Sequence, residues 1–218
     1  MRLQKYITEA DQRPEVWEEI TSSIEKNCQP FLKDLKGSRS LLYRGLSHPV
    51  LTIMVLKSLQ DRKPRFVDRD LHQRMNDYFK KTVGWNVRSE GLFVSCDESI
   101  AYRFTSNRSI GIVFPIGNYK CVWNPNISSL YSAYDQYDAR SYVRYASSNS
   151  EGRKMTREEA EIEIYNETIL PHLKNYASGN LKRYLKEDSE FSECIIKCDK
   201  YYLINYTWKS HLLAKYSE

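Results

Sequence analysis

Glycine and histidine are scarce in this chain of 218 residues, with 8 and 4 copies respectively. The sequence contains no glycine-rich phosphate loop, no nucleophile elbow and no closely spaced histidine pair, the usual signatures of P-loop nucleotide-binding proteins, α/β-hydrolases and zinc hydrolases. No low-complexity linker or internal repeat divides the chain. We therefore expect residues 1–218 to form a single domain. The histidines are expected to be surface or cap residues: His48, His72, His172 and His211.

Long apolar runs are also missing. The longest, from Leu51 to Leu56, is interrupted by Thr52, whereas a membrane-spanning helix needs about 20 apolar residues. The first residues contain no apolar core segment, so we expect no secretory signal, a soluble protein and no membrane partner. Five cysteines at irregular spacing argue against a disulfide framework and for a reducing, cytoplasmic compartment. Cys194 and Cys198 lack an accompanying histidine pair, and no metal site is expected.

The composition permits a substantial core and an anionic partner. Hydrophobic residues make up 41% of the chain and charged residues 28%, with a formal net charge of +5. Such a charge is compatible with a nucleotide or nucleic acid but does not require one. The 17 tyrosines suit both half-buried positions and binding surfaces, because tyrosine joins apolar area to a polar tip.

Helical periodicity dominates the first third of the chain, and residues 1–40 are predicted to be an N-terminal helical segment. One helix is expected to begin at Pro14. Another is expected from Pro49, and a third from Asp68 to Thr82, ended by Gly84. The apolar stripe predicted for the helix at Pro49 consists of Leu51, Met54, Val55 and Leu59.

Short β-type runs replace this pattern later in the chain. Gly117 and Asn118 predict a hairpin turn between two of them. Residues 124–190 are predicted to be an inserted loop and helices, including a tyrosine-rich stretch at 131–145. Thr156 and Glu159 form a capping box, which predicts a helix running towards Pro171. This order of elements indicates an α+β fold. The predicted strands are 41–43, 91–95, 110–116, 119–123, 194–197 and 201–208.

Three separate segments carry residues that could form a site. Arg44 ends an apolar strand and is followed by Gly45, where a ligand or backbone can approach closely. Ser95 follows a second apolar strand, and Glu193 directly precedes a third. Read one at a time, these are also compatible with a surface arginine, an ordinary strand-to-helix joint and a solvated strand-end charge. After Ser95 we expect a short helix capped by Asp97, with Ala101 and Phe104 facing inwards.

The three segments together resemble the ADP-ribosyltransferase family, and more narrowly the small bacteriophage mono-ADP-ribosyltransferases. The matching stretches are Tyr43-Arg44-Gly45, Phe93-Val94-Ser95 and Glu193-Cys194-Ile195-Ile196. The resemblance spans roughly residues 38 to 206 and rests on about a dozen positions. It implies a split β-sheet core, NAD as the substrate and no metal.

The resemblance also implies roles for particular residues. Glu193 would be the catalytic carboxylate, and Arg44 would hold the diphosphate or the adjacent ribose of NAD. Ser95 would support the ribose site, and Phe93 or Phe104 could stack on the nicotinamide ring. Tyr43 and Gly45 are assigned to NAD binding with Arg44. Two positions depart from the family, because Phe93 stands where the family has a serine and Phe191 where it often has Glu or Gln.

Three functional hypotheses follow. The first is NAD-dependent mono-ADP-ribosyl transfer to a host macromolecule, with protein as the expected acceptor and the host bacterial cytoplasm as the setting. The second is a binding protein on the same fold with a decayed site, acting through the tyrosine-rich stretch 131–145. The third is a transferase acting on, or a protein binding to, nucleic acid. The basic groups that support this third hypothesis are Arg62-Lys63-Pro64-Arg65 and Lys182-Arg183.

Overall fold

Eight strands in the described part of the chain form two four-stranded antiparallel sheets in a computed structural model. The structure describes residues 14–64, 69–105, 109–127, 129–130, 156–186 and 192–217. Sheet I has the strand order β1-β4-β8-β2, and sheet II has the order β3-β7-β5-β6. The strands are β1 (Tyr43–Leu46), β2 (Ile53–Lys57), β3 (Leu92–Val94), β4 (Ser109–Ile116), β5 (Lys120–Asn124), β6 (Ala177–Ser178), β7 (Glu193–Lys197) and β8 (Lys200–Asn205).

Helices precede, separate and follow these strands, and the mixture of helices with two antiparallel sheets confirms the predicted α+β class. A π-helical segment, Tyr165–Ile169, joins α6 to α7, and a 3-10 turn, Tyr206–Trp208, leads into α9. Among the described residues, no helix is long and apolar enough to span a membrane. The α-helices are α1 (Pro14–Asn27), α2 (Gln29–Leu35), α3 (Arg69–Val83), α4 (Val87–Glu90), α5 (Glu98–Arg103), α6 (Arg157–Ile164), α7 (Leu170–Lys174), α8 (Leu181–Lys186) and α9 (Lys209–Tyr216).

Several helix ends follow the local sequence signals. The first described helix covers Pro14–Asn27, and the start predicted at Pro14 adjoins residues outside the described part of the chain. Helix α3 ends before Gly84, which has a positive φ of 82°. The capping box is formed, because the Glu159 amide donates to Thr156 Oγ1 at 3.2 Å and the Thr156 amide donates to Glu159 Oε2 at 2.9 Å. The helical path continues past Pro171, which lacks the amide that would bond to the preceding turn, and the π-helical segment lies directly before it.

The predicted helix at Pro49 is wrong, and the segment contains the edge strand β2. Val55 pairs with Tyr202 of β8 in an antiparallel register. The run is short and rich in β-branched and long apolar residues, so it supports a strand as readily as a helix. The side chains expected to form a buried stripe are instead exposed: Leu51, Met54, Val55 and Leu59.

The hairpin predicted at Gly117 and Asn118 is also wrong. Gly117 does adopt the positive φ of a turn, 70°, but β4 before it belongs to sheet I and β5 after it belongs to sheet II. The connection from β7 to β8 crosses between the sheets in the same way. A turn signal predicts a change of direction but not which strands pair.

Two apolar clusters cover the two faces of sheet II. One cluster includes Cys194 and Ile196 of β7 together with residues of sheet I and of α1 and α2. The other includes Ile195 of β7 and packs beneath α3 and α7. Because side chains alternate along a strand, Glu193 lies on the same face as Ile195, below the helices. None of the five cysteines forms a disulfide.

Candidate functional site

The two sheets are joined where the first two predicted segments meet. Tyr43 and Ser95 form an isolated antiparallel bridge, with the Tyr43 amide donating to the Ser95 carbonyl at 2.7 Å and the reverse bond at 2.9 Å. In sheet II, Val94 pairs with Cys194. Ser95 and Glu193 therefore lie at the same end of the β3–β7 pair. This register brings all three segments to one junction between the sheets.

Arg44 reaches from sheet I to the backbone of sheet II. Its Nη1 donates to the carbonyl of Phe93 at 3.3 Å. The side chain is partly buried, and this burial lowers the pKa of Arg44, whereas Tyr201 acts in the opposite direction. A guanidinium has five donors, and within the described part of the chain only one of them makes a hydrogen bond. Arg44 thus retains donors for an anionic group.

Phe93 is the point where three arginines converge. Arg44 contacts its carbonyl, while Arg62 and Arg88 place their Cζ atoms 4.7 Å and 4.6 Å from the centroid of its ring. Guanidinium groups at such distances are attracted to the negative face of an aromatic ring. The ring predicted to stack on nicotinamide is therefore already in contact with two cations.

Glu193 is a buried carboxylate and not a solvated charge at a strand end. The residue is only 4% exposed. Arg88 Nη1 donates to its Oε1 at 2.6 Å, and the amide of Leu130 donates to its Oε2 at 2.5 Å. Its own amide donates to the carbonyl of Ile127 at 2.7 Å. Both carboxylate oxygens thus have a hydrogen-bond donor from the protein.

Two donors lie beside this carboxylate. Arg88 Nε is buried without a hydrogen-bond partner among the described residues. The Tyr176 hydroxyl makes no well-aligned bond but interacts with Glu193. Burial, and next the negative charge of Glu193, raise the pKa of Tyr176 well above its ordinary value, so its hydroxyl stays protonated. Because buried donors in folded proteins are usually bonded, a polar group entering next to Glu193 would find Arg88 Nε available.

Helix α3 holds Arg88 in place through Asn76. Asn76 Oδ1 accepts from the amide of Arg88 at 2.9 Å, and its Nδ2 donates to Ser89 Oγ at 2.8 Å. His72, one turn earlier on α3, contacts the same Ser89 hydroxyl at 3.1 Å. Burial lowers the pKa of His72, and the positive charges of Arg88 and Arg62 lower it further. The guanidinium groups of Arg88 and Arg62 thus act on the side of the site facing α3 and favour the neutral form of His72.

Ser95 has a local structural role. It is 3% exposed, and its Oγ accepts from the amide of Asp97 at 3.0 Å. Asp97 in turn caps α5, as predicted, by accepting from the amide of Ser99 at 2.7 Å. These bonds fix the path of the chain from β3 into α5.

The remaining predicted residues lie around α5. A Cβ added to Gly45 would stand 2.5 Å from the carbonyl oxygen of Ala101, so glycine allows β1 and α5 to approach closely. Tyr43 is 2% exposed, and its ring lies 6.1 Å from that of Tyr206. The inward orientation expected for Phe104 is wrong, because this residue ends α5 and is 60% exposed. Its ring is open to contact from outside.

The contribution of Arg88 and Tyr176 was not predicted from the sequence. Arg88 lies on the four-residue helix α4 and pairs with Glu193 across 105 residues of chain. Tyr176 follows α7 in the inserted region. Neither residue belongs to a motif, and their approach to Glu193 depends on long-range packing. Arg62 was noted only as part of a basic group.

A shallow cavity of about 400 Å³ lies elsewhere on the surface, lined by residues that include Asp34, Trp85, Tyr119 and Asn180. None of the seven predicted site residues lines it. Phe191 and the tyrosine-rich stretch 131–145 lie outside the described residues. The described residues also contain no group of three or more His, Cys, Asp or Glu side chains arranged to hold a metal ion.

The junction thus brings Arg44, Phe93, Ser95 and Glu193 together, with Arg88 as the link between Phe93 and Glu193. No protein-family model matches the chain, and neither a curated protein nor a solved structure matches it significantly.

Proposed function

We propose that this chain is an NAD-dependent mono-ADP-ribosyltransferase that modifies a host macromolecule, with protein as the expected acceptor. The proposed fold is the split-sheet fold of that family, and the proposed setting is the bacterial cytoplasm. The observation that carries the proposal is the meeting of Arg44 and the Arg88–Glu193 pair at Phe93. An arginine with free donors and a buried carboxylate at one junction are the groups that binding and cleaving NAD require.

Arg44 would bind the diphosphate or the adjacent ribose of NAD. Its guanidinium makes one hydrogen bond to the Phe93 carbonyl and is partly buried. Charge-assisted bonds from arginine to phosphate are short and frequently bidentate, and they are strengthened by partial removal from water. The positive charges of Arg62 and Arg88 nearby would add to the attraction for a dinucleotide.

Glu193 would act on the bond that breaks. Nicotinamide leaves C1′ of the ribose with the bonding electron pair, and the ribose develops an oxocarbenium-like positive charge. A carboxylate next to this ring stabilises the charge in a site of low dielectric, an effect worth about 3 kcal/mol or more in comparable sites. The acceptor nucleophile then bonds to C1′ and releases a proton, so the products are the ADP-ribosylated acceptor, nicotinamide and one proton.

Arg88 would orient the carboxylate, and its unpaired Nε would bind a polar group of the substrate. The short Arg88–Glu193 contact restricts the direction of the carboxylate. Because Glu193 is 4% exposed, a ribose reaching it must displace the amide of Leu130 or shift Arg88.

Incubation with labelled NAD and bacterial lysate tests the proposal. We expect label to appear in the protein fraction and nicotinamide to accumulate. The nucleic-acid fraction is separated in the same experiment, so label found there would identify nucleic acid as the acceptor. Heat-denatured protein serves as the control. No detectable NAD binding, together with no transfer to either fraction, would contradict the proposal.

A second function is that of a binding protein on the same fold. It is favoured because the groups of the proposed site already have partners within the protein. Both Glu193 oxygens already accept from protein donors, and the Phe93 ring already contacts two guanidinium groups. Under this alternative the Arg88–Glu193 pair is purely structural. Thermal unfolding with and without NAD separates the two functions, because only a protein that binds NAD in its native state gains stability from it.

A further inference from the structure

The outer edge of sheet I exposes apolar side chains on both of its faces. The edge strand is β2, and nothing in the described part of the chain pairs with its outer side. Natural edge strands are usually protected by charges, prolines, bulges or a covering segment. Here the strand has one charged residue, Lys57, at its end. The exposed residues are Leu51 (71%), Met54 (47%), Val55 (56%) and Leu59 (68%).

The backbone of β2 offers a defined set of unpaired groups at this edge. Just beyond the ends of the strand, Thr52 accepts from the amide of Asn205 and the amide of Ser58 donates to Asp199, so both bond towards the β8 side. Successive residues of an antiparallel strand alternate in the direction of their hydrogen-bonding groups. Residues 53, 55 and 57 therefore direct their amide and carbonyl groups away from the sheet.

We propose that this edge pairs with the same edge of a second copy of the chain, antiparallel and about a two-fold axis through Val55. In this register the backbone groups of residues 53, 55 and 57 all find a partner in the second copy, with Val55 opposite Val55 and Ile53 opposite Lys57. Shifting the centre to residue 54 or 56 leaves some of these groups without a partner. The register also places Leu51 opposite Leu59 of the second copy, and both residues are about 70% exposed.

The sequence around Val55 is self-complementary, which is what a two-fold interface requires. Leu51 and Leu59 stand at equal distances on either side of Val55. The two copies of Lys57 would be offset by four residues, roughly 13 Å along the strands, so they would not face each other. Apolar residues thus meet apolar residues, and the like charges are separated.

Assembly would end at the dimer. The opposite edge of sheet I is β1, which is connected to sheet II through the Tyr43–Ser95 bridge. After two copies have paired through β2, no equivalent edge is left. A two-strand contact buries less than the roughly 1,600 Å² of a standard interface, so we expect a dimer that dissociates on dilution. Arg44 lies on β1, at the far edge, and the interface leaves it uncovered.

Sedimentation velocity of the full chain, from low micromolar to several hundred micromolar, tests the pairing. The wild-type protein should shift from monomer to dimer as concentration rises. Val55→Lys should remain monomeric, because it places two ammonium groups opposite each other. Tyr102→Lys, at a partly exposed position on α5, should dimerise like the wild type. Far-ultraviolet circular dichroism verifies that each variant is folded.

Oxidative cross-linking tests the register. Val55→Cys should form a disulfide-linked dimer, since directly opposed residues bring their Cα atoms within disulfide range. Lys57→Cys lies on the same strand and face but should cross-link far more slowly. A wild-type protein that stays monomeric at every concentration would overturn the proposal, even if the edge binds another protein. Equal cross-linking at both positions would overturn it as well.

Discussion

Arg88 and Glu193 form an ion pair in which both side chains are almost fully removed from water. The distance from Nη1 to Oε1 is 2.6 Å, and the two side chains are 10% and 5% exposed. Such a pair gains little stability relative to apolar residues, because removing both charges from water is costly. Breaking it is costly too, since the remaining charge then stays buried without compensation.

Replacing Arg88 alone should therefore destabilise the protein. We expect Arg88→Met to lower the free energy of unfolding by about 3–5 kcal/mol, measured by urea denaturation. In the double variant Arg88→Met/Glu193→Gln the buried charge is gone, and most of the loss should be recovered. Additive effects of the two substitutions would show that the residues are not coupled.

Close contact between β1 and α5 makes Gly45 sensitive to a single methyl group. The Cβ of Gly45→Ala would lie 2.5 Å from the Ala101 carbonyl oxygen and 3.0 Å from the backbone of Phe104. Overpacking of this kind costs about 1–3 kcal/mol, measured by thermal or urea unfolding. A free energy of unfolding of Gly45→Ala equal to that of the wild type would refute the steric explanation.

The environment of His72 predicts a pH dependence of stability. Burial, together with the charges of Arg88 and Arg62, lowers the pKa of His72 below its ordinary value of 6.5. The unfolded chain therefore binds a proton more readily, and the folded protein loses stability as the pH falls below about 6.5. His72→Gln retains a side chain able to bond Ser89 and should lose less stability over this range. Identical pH profiles of unfolding would contradict the prediction.

Binding of NAD should depend on Arg44. For the wild type we expect a rise in melting temperature with NAD concentration, since a ligand at 100 times its Kd adds about 2.7 kcal/mol. Arg44→Gln should abolish most of this protection because it removes the charge beside the proposed diphosphate site. Arg103→Gln changes an exposed arginine of α5 and should behave like the wild type. Equal protection of all three proteins would remove Arg44 from the site.

Local signals in the sequence predicted those elements that depend on neighbouring residues. Gly84, the Asp97 cap and the Thr156–Glu159 box each act within one helical turn, and the structure confirms all three. Segment 49–59 was predicted as a helix because its apolar residues also fit a helical period. Its strand conformation comes from pairing with β8, which is distant in sequence.

The same contrast between local signals and long-range packing applies to the site. The order of Arg44, Ser95 and Glu193 along the sequence predicted that three segments form one site, and the register of the strands brings these segments to one junction. The pairing of Glu193 with Arg88 could not be predicted, because 105 residues separate them and α4 carries no recognisable motif. Which strands pair across the two sheets is decided by long-range packing and not by turn residues.

The most direct test of the proposed function is the rate of nicotinamide release from NAD by Glu193→Gln. If the carboxylate stabilises the developing charge, the rate should fall at least about 100-fold. It is measured well below the melting temperature of the variant, which loses the ion pair with Arg88 but should keep its far-ultraviolet circular dichroism spectrum. Glu90→Gln is the matched control, because Glu90 is also ion-paired, with Lys197, but is not part of the proposed machinery. Release by Glu193→Gln at the wild-type rate would contradict the assignment of Glu193 as the catalytic residue.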